Sequence, residues 1–277
     1  MSNFKCPVCS NQLIKDNNLY RCSKNHTYDI AKKGYVNLML ANQGHSLNEG
    51  ASKDMNDARR RFLQGGFYSK LRDVLQNTVF DLSPSKNIKF VDVACGEGYY
   101  TNFIHFQLLQ SKIITSYGVD ISKAAINAAS SNRNMMNLKN IHYCVGNLDY
   151  LPFLNNSFDV LLNCFAPINE KEFNRVLKEN GYFIRVLPGK YHLYELKEFL
   201  YSEVLLNQPK EDEIDGFLLE NSIQVDDFIS LNNQQIQDLF TMTPYYYKTS
   251  YEAKERLKKL ESLNTKISFI IKIYKRK

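Results

Sequence analysis

The chain has 277 residues, 44% of them apolar, and a formal net charge of +6. That length holds one large domain plus a small one, and the composition excludes a disordered or low-complexity chain. No apolar run approaches the roughly 20 residues of a bilayer span, and the N-terminus lacks a long apolar core, so neither membrane anchorage nor an export signal is expected.

The six cysteines are not spread like a disulfide framework. Three cluster before residue 23, while Cys95, Cys144 and Cys164 stand alone in apolar runs. That usage implies a cytoplasmic protein with a metal site and buried thiols. Charge is uneven as well. Residues 1–61 hold ten Lys or Arg against five acids, which is nearly the whole net charge. A basic module beside a near-neutral domain suits docking on a phosphate backbone, although composition alone favours an ordinary solvated surface.

Taken in order, the chain begins with Cys6-Pro7-Val8-Cys9 and Cys22-Ser23-Lys24-Asn25-His26, spaced C-x2-C-x12-C-x3-H. Two tight knuckles joined by a hairpin-length spacer make a tetrahedral S3N ligand set for zinc, from Cys6, Cys9, Cys22 and His26. Four protein ligands leave no open position, so the metal is structural and contributes folding energy. Residues 12–14 and 18–21 read as the two strands of the spacer, with Lys15-Asp16-Asn17 as the turn. His45 is a weaker competitor for the fourth ligand. Tyr28 to Leu38 mixes aromatics and cations. These residues stack on bases and meet phosphates, or simply cover a module with little core of its own, and both can hold. Asn42 to Ser52, polar with two glycines, reads as a linker.

Asp54 to Leu63 is helical, contains Arg59-Arg60-Arg61 and stops at Gly65-Gly66. Tyr68 to Phe80 is a second helix, with Leu71, Val74, Leu75 and Val79 at helical spacing. Then comes Lys89-Phe90-Val91-Asp92-Val93-Ala94-Cys95-Gly96-Glu97-Gly98-Tyr99-Tyr100-Thr101. A buried strand breaks into two glycines and restarts as a helix, and the bare backbone lets a ligand lie close. A dinucleotide fingerprint puts a third glycine or alanine where Thr101 stands. Glu97 between the glycines suits an amine and a sulfonium better than a pyrophosphate. The strand 113–119 ends in Asp120, placed to accept both ribose hydroxyls. Together these indicate an S-adenosylmethionine pocket; the bland alternative is a glycine turn in some other α/β domain.

From there strands and helices alternate: helix 99–110, strand 113–119, helix 122–133 capped by Ser122, strand 140–145, strand 157–164, helix 170–178 and strand 182–187. Such alternation means an α/β fold with a doubly wound, mostly parallel sheet. Ligands lie at the carboxyl ends of its strands, where 96–101, Asp120, Asn147-Leu148 and 163–167 all fall. Beyond Pro188-Gly189 the pattern gives a helix (191–205), a strand (222–230), helices (233–239 and 251–262) and a last strand (267–274).

Several of these stretches together resemble one family. They are the knuckle pair, Ala31-Lys-Lys-Gly-Tyr-Val-Asn-Leu, Ala58-Arg59-Arg60 with Tyr68 and Leu71-Arg-Asp, and Cys95-Gly-Glu-Gly-Tyr-Tyr-Thr. Phe165-Ala166-Pro167, Leu187-Pro-Gly-Lys-Tyr-His192, Glu195-Leu-Lys and Met242-Thr-Pro complete the set. The chain resembles, over nearly its whole length, the bacterial 23S rRNA (guanine-N1)-methyltransferases of the RlmA type. The resemblance implies a class I SAM-dependent methyltransferase: a Rossmann-like, mostly parallel seven-stranded sheet behind a small N-terminal zinc-ribbon domain. Residues 1–40 would be the zinc module, 41–65 a linker and basic helix, and 66–277 the methyltransferase domain.

The resemblance further implies S-adenosylmethionine as donor and, as acceptor, N1 of a guanine in the helix 35 hairpin of 23S rRNA. It implies a zinc module that helps grip RNA, a homodimer, and cofactor contacts from Tyr68 and His192. Tyr99 and Tyr100 then stand as part of the wall between cofactor and base. The sequence departs from the family at Ile168, where a cysteine is usual, and at Arg185, inside the fifth strand, where a small or apolar residue is usual.

Guanine N1 must lose its proton, so a base or contacts that stabilise negative charge on O6 should be near. No residue can be named for that base from sequence. The target must leave its stack, and Asn163, Phe165 and Pro167 after the fourth strand are the candidate slot. The chain lacks the Asn/Asp-Pro-Pro-Tyr/Phe of amino-methylating enzymes. Nothing marks Cys164 as an activated nucleophile for pyrimidine C5 chemistry. Two alternatives remain: a small-molecule methyltransferase, which has no use for a basic zinc ribbon, and a non-catalytic zinc RNA-binding protein with a relict fold.

Overall fold

A computed structural model describes residues 2–40, 53–83, 85–208 and 213–277. The expected linker and His45 fall outside the described residues.

The N-terminal residues form a small antiparallel sheet of β1 (Ile14–Asp16), β2 (Leu19–Arg21) and β3 (Thr27–Asp29). Asn17, at φ +52°, makes the tight turn between the first two strands, a conformation asparagine tolerates well. The chain then enters the main sheet through β4 (Val36–Asn37). This strand pairs in parallel with β7 (Ile141–Val145), Val36 opposite Cys144. The seven-stranded sheet thus gains an eighth, edge strand from the N-terminal module. Phe4, fully buried, stacks on Phe153 at 5.7 Å and meets Tyr117 and Tyr20 edge-on at 5.3 Å. The zinc module therefore shares its core with the main domain.

Two helices precede the central strand, α1 (Lys53–Gln64) and α2 (Ser69–Asp81). Gly66, at φ +82°, turns the chain between them. Next come β5 (Asn87–Val93), α3 (Tyr99–Leu108), β6 (Ile113–Asp120), α4 (Lys123–Met135) and β7. Then follow β8 (Phe158–Cys164), α5 (Glu170–Val176), β9 (Leu177–Pro188) and α6 (Tyr194–Leu200). The C-terminal part is β10 (Phe217–Asn232), α7 (Asn233–Thr241), α8 (Tyr245–Lys248), α9 (Tyr251–Lys258) and β11 (Ser262–Arg276). The strand order is β10-β11-β9-β8-β5-β6-β7-β4. Strands β4 to β9 of this sheet run parallel, while β11 is antiparallel to both β9 and β10.

Along the central strands, alternate residues enter two separate cores. Phe90, Leu162, Ile184 and Ile271 join one; Val91, Val93, Leu161 and Phe183 join the other. A sheet buried on both faces reads as a continuous apolar run, which is why β5 and β8 are legible. Each such fully buried side chain contributes roughly 1.5–3 kcal/mol. Successive connections leave β5 in opposite directions, to β6 and β7 on one side and to β8 and β9 on the other. The crevice at this switch point, outside the carboxyl ends of β5, β6 and β8, is where such sheets bind ligands.

The C-terminal part departs from the sequence reading in extent. The expected helix 191–205 is only Tyr194–Leu200, because Leu193 at φ +58° starts it late. The expected helix 251–262 ends at Lys258, and the last strand begins at Ser262. The two late strands pair continuously from Phe217↔Arg276 to Asn232↔Ser262, apart from one bulge between Leu219 and Asn221. Much of β10 is solvent-facing and polar, so its sequence lacks the apolar run that marks a buried strand. The Asn180-Gly181 turn is present, but inside β9: pairing with β8 slips there, from Phe158↔Leu177 to Val160↔Tyr182.

Candidate cofactor site and metal centre

The two cysteine knuckles are built alike. Ser10 N donates to Cys6 O and Asn25 N to Cys22 O, each at 2.9 Å, and Ser10 and Asn25 both have positive φ. These turns bring Cys6, Cys9, Cys22 and His26 together, with all ligand atoms within 4.8 Å of one another. His26 Nδ1 lies 3.6 Å from Cys6 Sγ and 3.3 Å from Cys22 Sγ; Cys9 Sγ is 3.5 Å from Cys22 Sγ. A tetrahedral site with metal–sulfur bonds of about 2.3 Å places its donors at comparable spacing. Burial works against ionising Cys6. Hydrogen bonds from Tyr28 Oη, at 3.3 Å, and from the Cys9 and Val8 amides outweigh it, and the thiol is brought down to about 6. The donor set fits zinc, with no fifth protein donor beside it among the described residues.

The same contact gives Tyr28 a role in covering the metal site, and Tyr35 and Leu38 are core residues. These residues cover the module, while Lys32 and Lys33 of the same stretch stay exposed.

The cofactor crevice starts where β5 ends. Ala94 (φ +60°), Gly96 (φ +54°) and Gly98 (φ +72°) fold the backbone into a loop that α3 then continues. A Cβ on Gly96 would meet nothing within 4 Å, so this glycine lines open space. Gly98 is different: a Cβ there would collide with the Tyr143 hydroxyl. Tyr143 in turn donates to Asn102 Oδ1 at 2.8 Å, which locks α3 against β7. Sequence reasoning missed Tyr143, because nothing local in β7 announces a packing partner for a glycine forty-five residues upstream.

Asp120, at the end of β6, accepts from Gly96 N through Oδ2 and from Ser122 N through Oδ1, both at 2.8 Å. Burial pushes its carboxyl up, while the amides of Ser122, Gly96 and Ile121 favour the charged form. Each oxygen retains acceptor capacity. Gly146 N donates to Asp120 O at 3.0 Å, which sets Asn147 and half-buried Leu148 beside this carboxylate. The side chain of Asn147 caps a 3-10 turn by accepting from Asp149 N at 2.9 Å.

Glu97 is engaged by the protein itself. Arg60, from α1, donates Nε to Oε2 at 2.6 Å and its second nitrogen to Oε1. The neighbouring Arg61 pairs with Asp238 of α7 at 2.6 Å. Two of the three arginines in Arg59-Arg60-Arg61 are therefore paired with acids, Arg60 tying α1 to the glycine loop and Arg61 tying it to α7.

Tyr68 and His192, 124 residues apart, do meet: Tyr68 Oη lies 3.5 Å from His192 Nε2. Ser268 N donates to His192 Nδ1 at 3.2 Å, so the ring proton sits on Nε2, facing Tyr68. Burial first, and then the Lys197 charge, lower the imidazole to about 3 and keep it neutral. With Nε2–H directed at the tyrosine oxygen, the Tyr68 hydroxyl proton is available to another acceptor. Tyr99 and Tyr100 pack edge-on at 5.0 Å, and the buried Tyr100 hydroxyl has no hydrogen-bond partner among the described residues. Open space at Gly96, remaining acceptor capacity on Asp120 and this orphaned hydroxyl fit a cofactor that carries ribose hydroxyls and charged polar groups.

At the candidate acceptor slot the three residues separate. Phe165 (φ +56°) is 44% exposed and stands 5.6 Å from the Phe269 ring. Pro167 is exposed beside it. Asn163 is fully buried beneath: its Nδ2 donates to Pro167 O at 3.2 Å and Val93 O at 3.4 Å, and its Oδ1 has no partner among the described residues. Asn163 thus shapes the loop from below. Burial pushes the Cys164 thiol well above its ordinary range, which is the opposite of nucleophile activation.

Residues 4–47 match the family described as RlmA, N-terminal, a zinc ribbon, and residues 84–242 match the family described as methyltransferase domain. A Bacillus subtilis (strain 168) protein named "Putative 23S rRNA (guanine-N(1)-)-methyltransferase YxjB" is 26% identical, over 98% of this chain and 96% of its own length. The 23S rRNA (guanine(748)-N(1))-methyltransferase of Streptomyces fradiae is 28% identical, over 71% of this chain and 67% of its own. The crystal structure of the Bacillus YcgJ protein superposes with a TM-score of 0.51 at 16% identity, covering 74% of this chain and 97% of that one; it shows the fold. The chain belongs to the methyltransferase-domain family, and its N-terminal residues carry the RlmA-type zinc ribbon.

Proposed function

We propose that this protein transfers a methyl group from S-adenosylmethionine to N1 of a guanine in the helix 35 hairpin of 23S rRNA. One observation carries the reading: an open glycine cradle joined to Asp120 stands in one chain, on one shared core, with a four-ligand zinc ribbon. The relatives' names support the acceptor class.

Bound S-adenosylmethionine would supply an electrophilic methyl on its sulfonium sulfur, the sulfur leaving as a neutral thioether and the guanine N1 proton passing to solvent. The backbone at Gly96 and Gly98 and the carboxylate of Asp120 hold and orient the cofactor. Tyr68, Glu97, Tyr99, Tyr100, Asn147, Leu148 and His192 surround it. Phe165 and Pro167, above Asn163, receive the base and exclude water, so that positioning does most of the work. The zinc module, on the same core, helps grip the RNA, and the protein acts in the cytoplasm as a homodimer, as the resemblance implies.

The test is mass mapping of methylated nucleosides in 23S rRNA from strains with and without the gene. Loss of one 1-methylguanosine in helix 35 on deletion is expected; an unchanged map refutes the assignment. Light scattering at twice the 32.2 kDa chain mass tests the dimer.

A further inference from the structure

A second groove opens at the same edge of the sheet as the cofactor crevice. Strand β9 ends at Pro188, and Phe269 of β11 lies opposite that residue. The turn that follows is pinned to β11, with Gly189 N donating to Ser268 O at 2.8 Å and Leu193 N to Lys266 O at 2.7 Å. This arrangement sets Tyr191, Tyr194 and Glu195 beside Lys266. Together with Val204 and Leu206 they line a cavity of about 320 Å³. That is at the lower end of the size range of small-ligand pockets, about 300–1,000 Å³.

The chemistry of this lining is specific. Tyr191 is 44% exposed and belongs to no core cluster. Two ammonium groups flank its ring, Lys190 Nζ at 5.5 Å and Lys266 Nζ at 5.8 Å from the centroid. The Tyr194 ring stands 6.2 Å away at 61°. Lys266 is held by Asp226 at 2.9 Å, which fixes its position. Glu195 Oε2 is committed to Thr265 Oγ1 at 3.0 Å and Lys266 N at 2.7 Å; Oε1 has no such partner among the described residues. The groove therefore offers a part-exposed aromatic ring with two cations over it, of which Lys266 is held by Asp226, and one carboxylate acceptor. Aromatic faces with cations beside them are how proteins hold unpaired nucleotides, the base on the ring and the phosphate on the charge.

We infer that this groove binds an unpaired nucleotide of the RNA substrate, a neighbour of the one that is methylated. The base stacks on Tyr191, its backbone phosphate meets Lys190, and an amino or imino donor on its edge meets Glu195 Oε1. The inference rests on the reading of the chain as an RNA methyltransferase. The placement is consistent with a neighbouring nucleotide. Phe165 of the acceptor slot touches Phe269, and the Phe269 ring is 4.8 Å from that of His192, the residue after Tyr191. Slot and groove thus flank one partition at the carboxyl edge.

The experiment uses the full-length protein and a fluorescein-labelled transcript of the helix 35 hairpin, intact or with one abasic loop nucleotide at a time. Binding is read by anisotropy, cofactor affinity by calorimetry and methyl incorporation by scintillation. Tyr191→Ala should weaken hairpin binding about tenfold, the scale of one lost stacking contact. Tyr191→Phe should bind within about twofold of the parent, and both should keep the parent's cofactor affinity. One abasic position other than the methylated guanine should weaken the parent about tenfold and leave Tyr191→Ala no weaker than before. Unchanged binding by Tyr191→Ala, equal loss in Tyr191→Phe, loss of cofactor affinity, or no coupled loop position would each overturn the groove. Absence of methyl incorporation by the parent would instead overturn the enzymatic reading, while anisotropy still decides the groove.

Discussion

Arg60 grips Glu97 through two hydrogen bonds, and so ties α1 to the loop between Gly96 and Gly98. Paired, planar donors match a carboxylate in both charge and shape, which makes this stronger than a single-point ion pair. The carboxylate is nearly buried, at 12% side-chain exposure, so removing Arg60 strands a charge where water reaches it poorly. Arg60→Met should therefore weaken S-adenosylmethionine binding about tenfold by loosening the crevice, and lower thermal stability slightly. Arg60→Lys restores charge but not the fork, so it should recover only part of the loss. Calorimetric titration of the three proteins decides it: equal affinities for the Met and parent proteins would show that α1 does not order the site.

Asp120 presents a sharper case, because two amides already depend on it. Gly96 N and Ser122 N each donate to a different oxygen, so an amide side chain can satisfy only one of them. In Asp120→Asn the second amide faces an NH2 group, and the cradle must open or lose a bond worth about 1–3 kcal/mol. The expected outcome is at least about a tenfold loss of cofactor affinity with a modest fall in melting temperature. An Asn variant that binds S-adenosylmethionine like the parent would separate the cradle's geometry from this carboxylate.

These two relationships differ in how far the sequence discloses them. Gly96, Gly98 and Asp120 are legible because strand, turn and helix are local, and because a carboxylate ending the next strand lands beside the first turn. The zinc quartet is legible because ligand spacing is itself the geometry. Arg60 and Glu97 lie on different elements 37 residues apart, and Arg59-Arg60-Arg61 reads as a basic face until two of its charges are seen paired with Glu97 and Asp238. Tyr68 and His192 were reachable only through resemblance, since their contact is made by β11 through Ser268 and Phe269. Strand β4 has only two residues, too few for any periodicity, yet it stitches the zinc module to the sheet.

The zinc ribbon should behave as a metal-dependent part of a larger core. Its own strands are three residues long, and β1 is entirely exposed, so little apolar burial holds them without the ion. Cys9→Ser, or treatment with a strong chelator, should lower the melting temperature and release Phe4 and Tyr20 from the shared core. The glycine cradle and Asp120 are set by β5 and β6, neither of which pairs with β4, so S-adenosylmethionine affinity should survive while hairpin affinity falls. Elemental analysis should give about one zinc per chain in the parent and far less in the variant. A zinc-free parent with an unchanged melting temperature would remove the metal from the account.

Asp92 makes stability depend on pH in a predictable direction. Its carboxyl, 1% exposed on β5, accepts from Thr101 Oγ1 at 2.6 Å. Burial pushes it up to about 7, against the help of the Thr101 hydroxyl and with a further push from Asp120. In the unfolded chain the same group ionises near its ordinary 3.8. Below that value both states hold the proton and nothing is lost. As pH rises from about 3.8 towards 7, the unfolded chain releases its proton while the folded chain keeps it, so stability falls; above 7 the loss is complete. The full loss is roughly 3–5 kcal/mol as an order of magnitude. His105 and His142, each lowered to about 4 by burial, act in the opposite sense, costing stability as pH falls from 6.5. A comparison of parent and variant at each pH cancels that contribution. Asp92→Asn keeps an acceptor for Thr101 and cannot ionise. Its melting temperature should exceed the parent's at pH 8, with the margin shrinking steadily towards pH 4. A margin that stays constant from pH 5 to 8 would mean that the buried carboxyl does not titrate in the folded protein over this range.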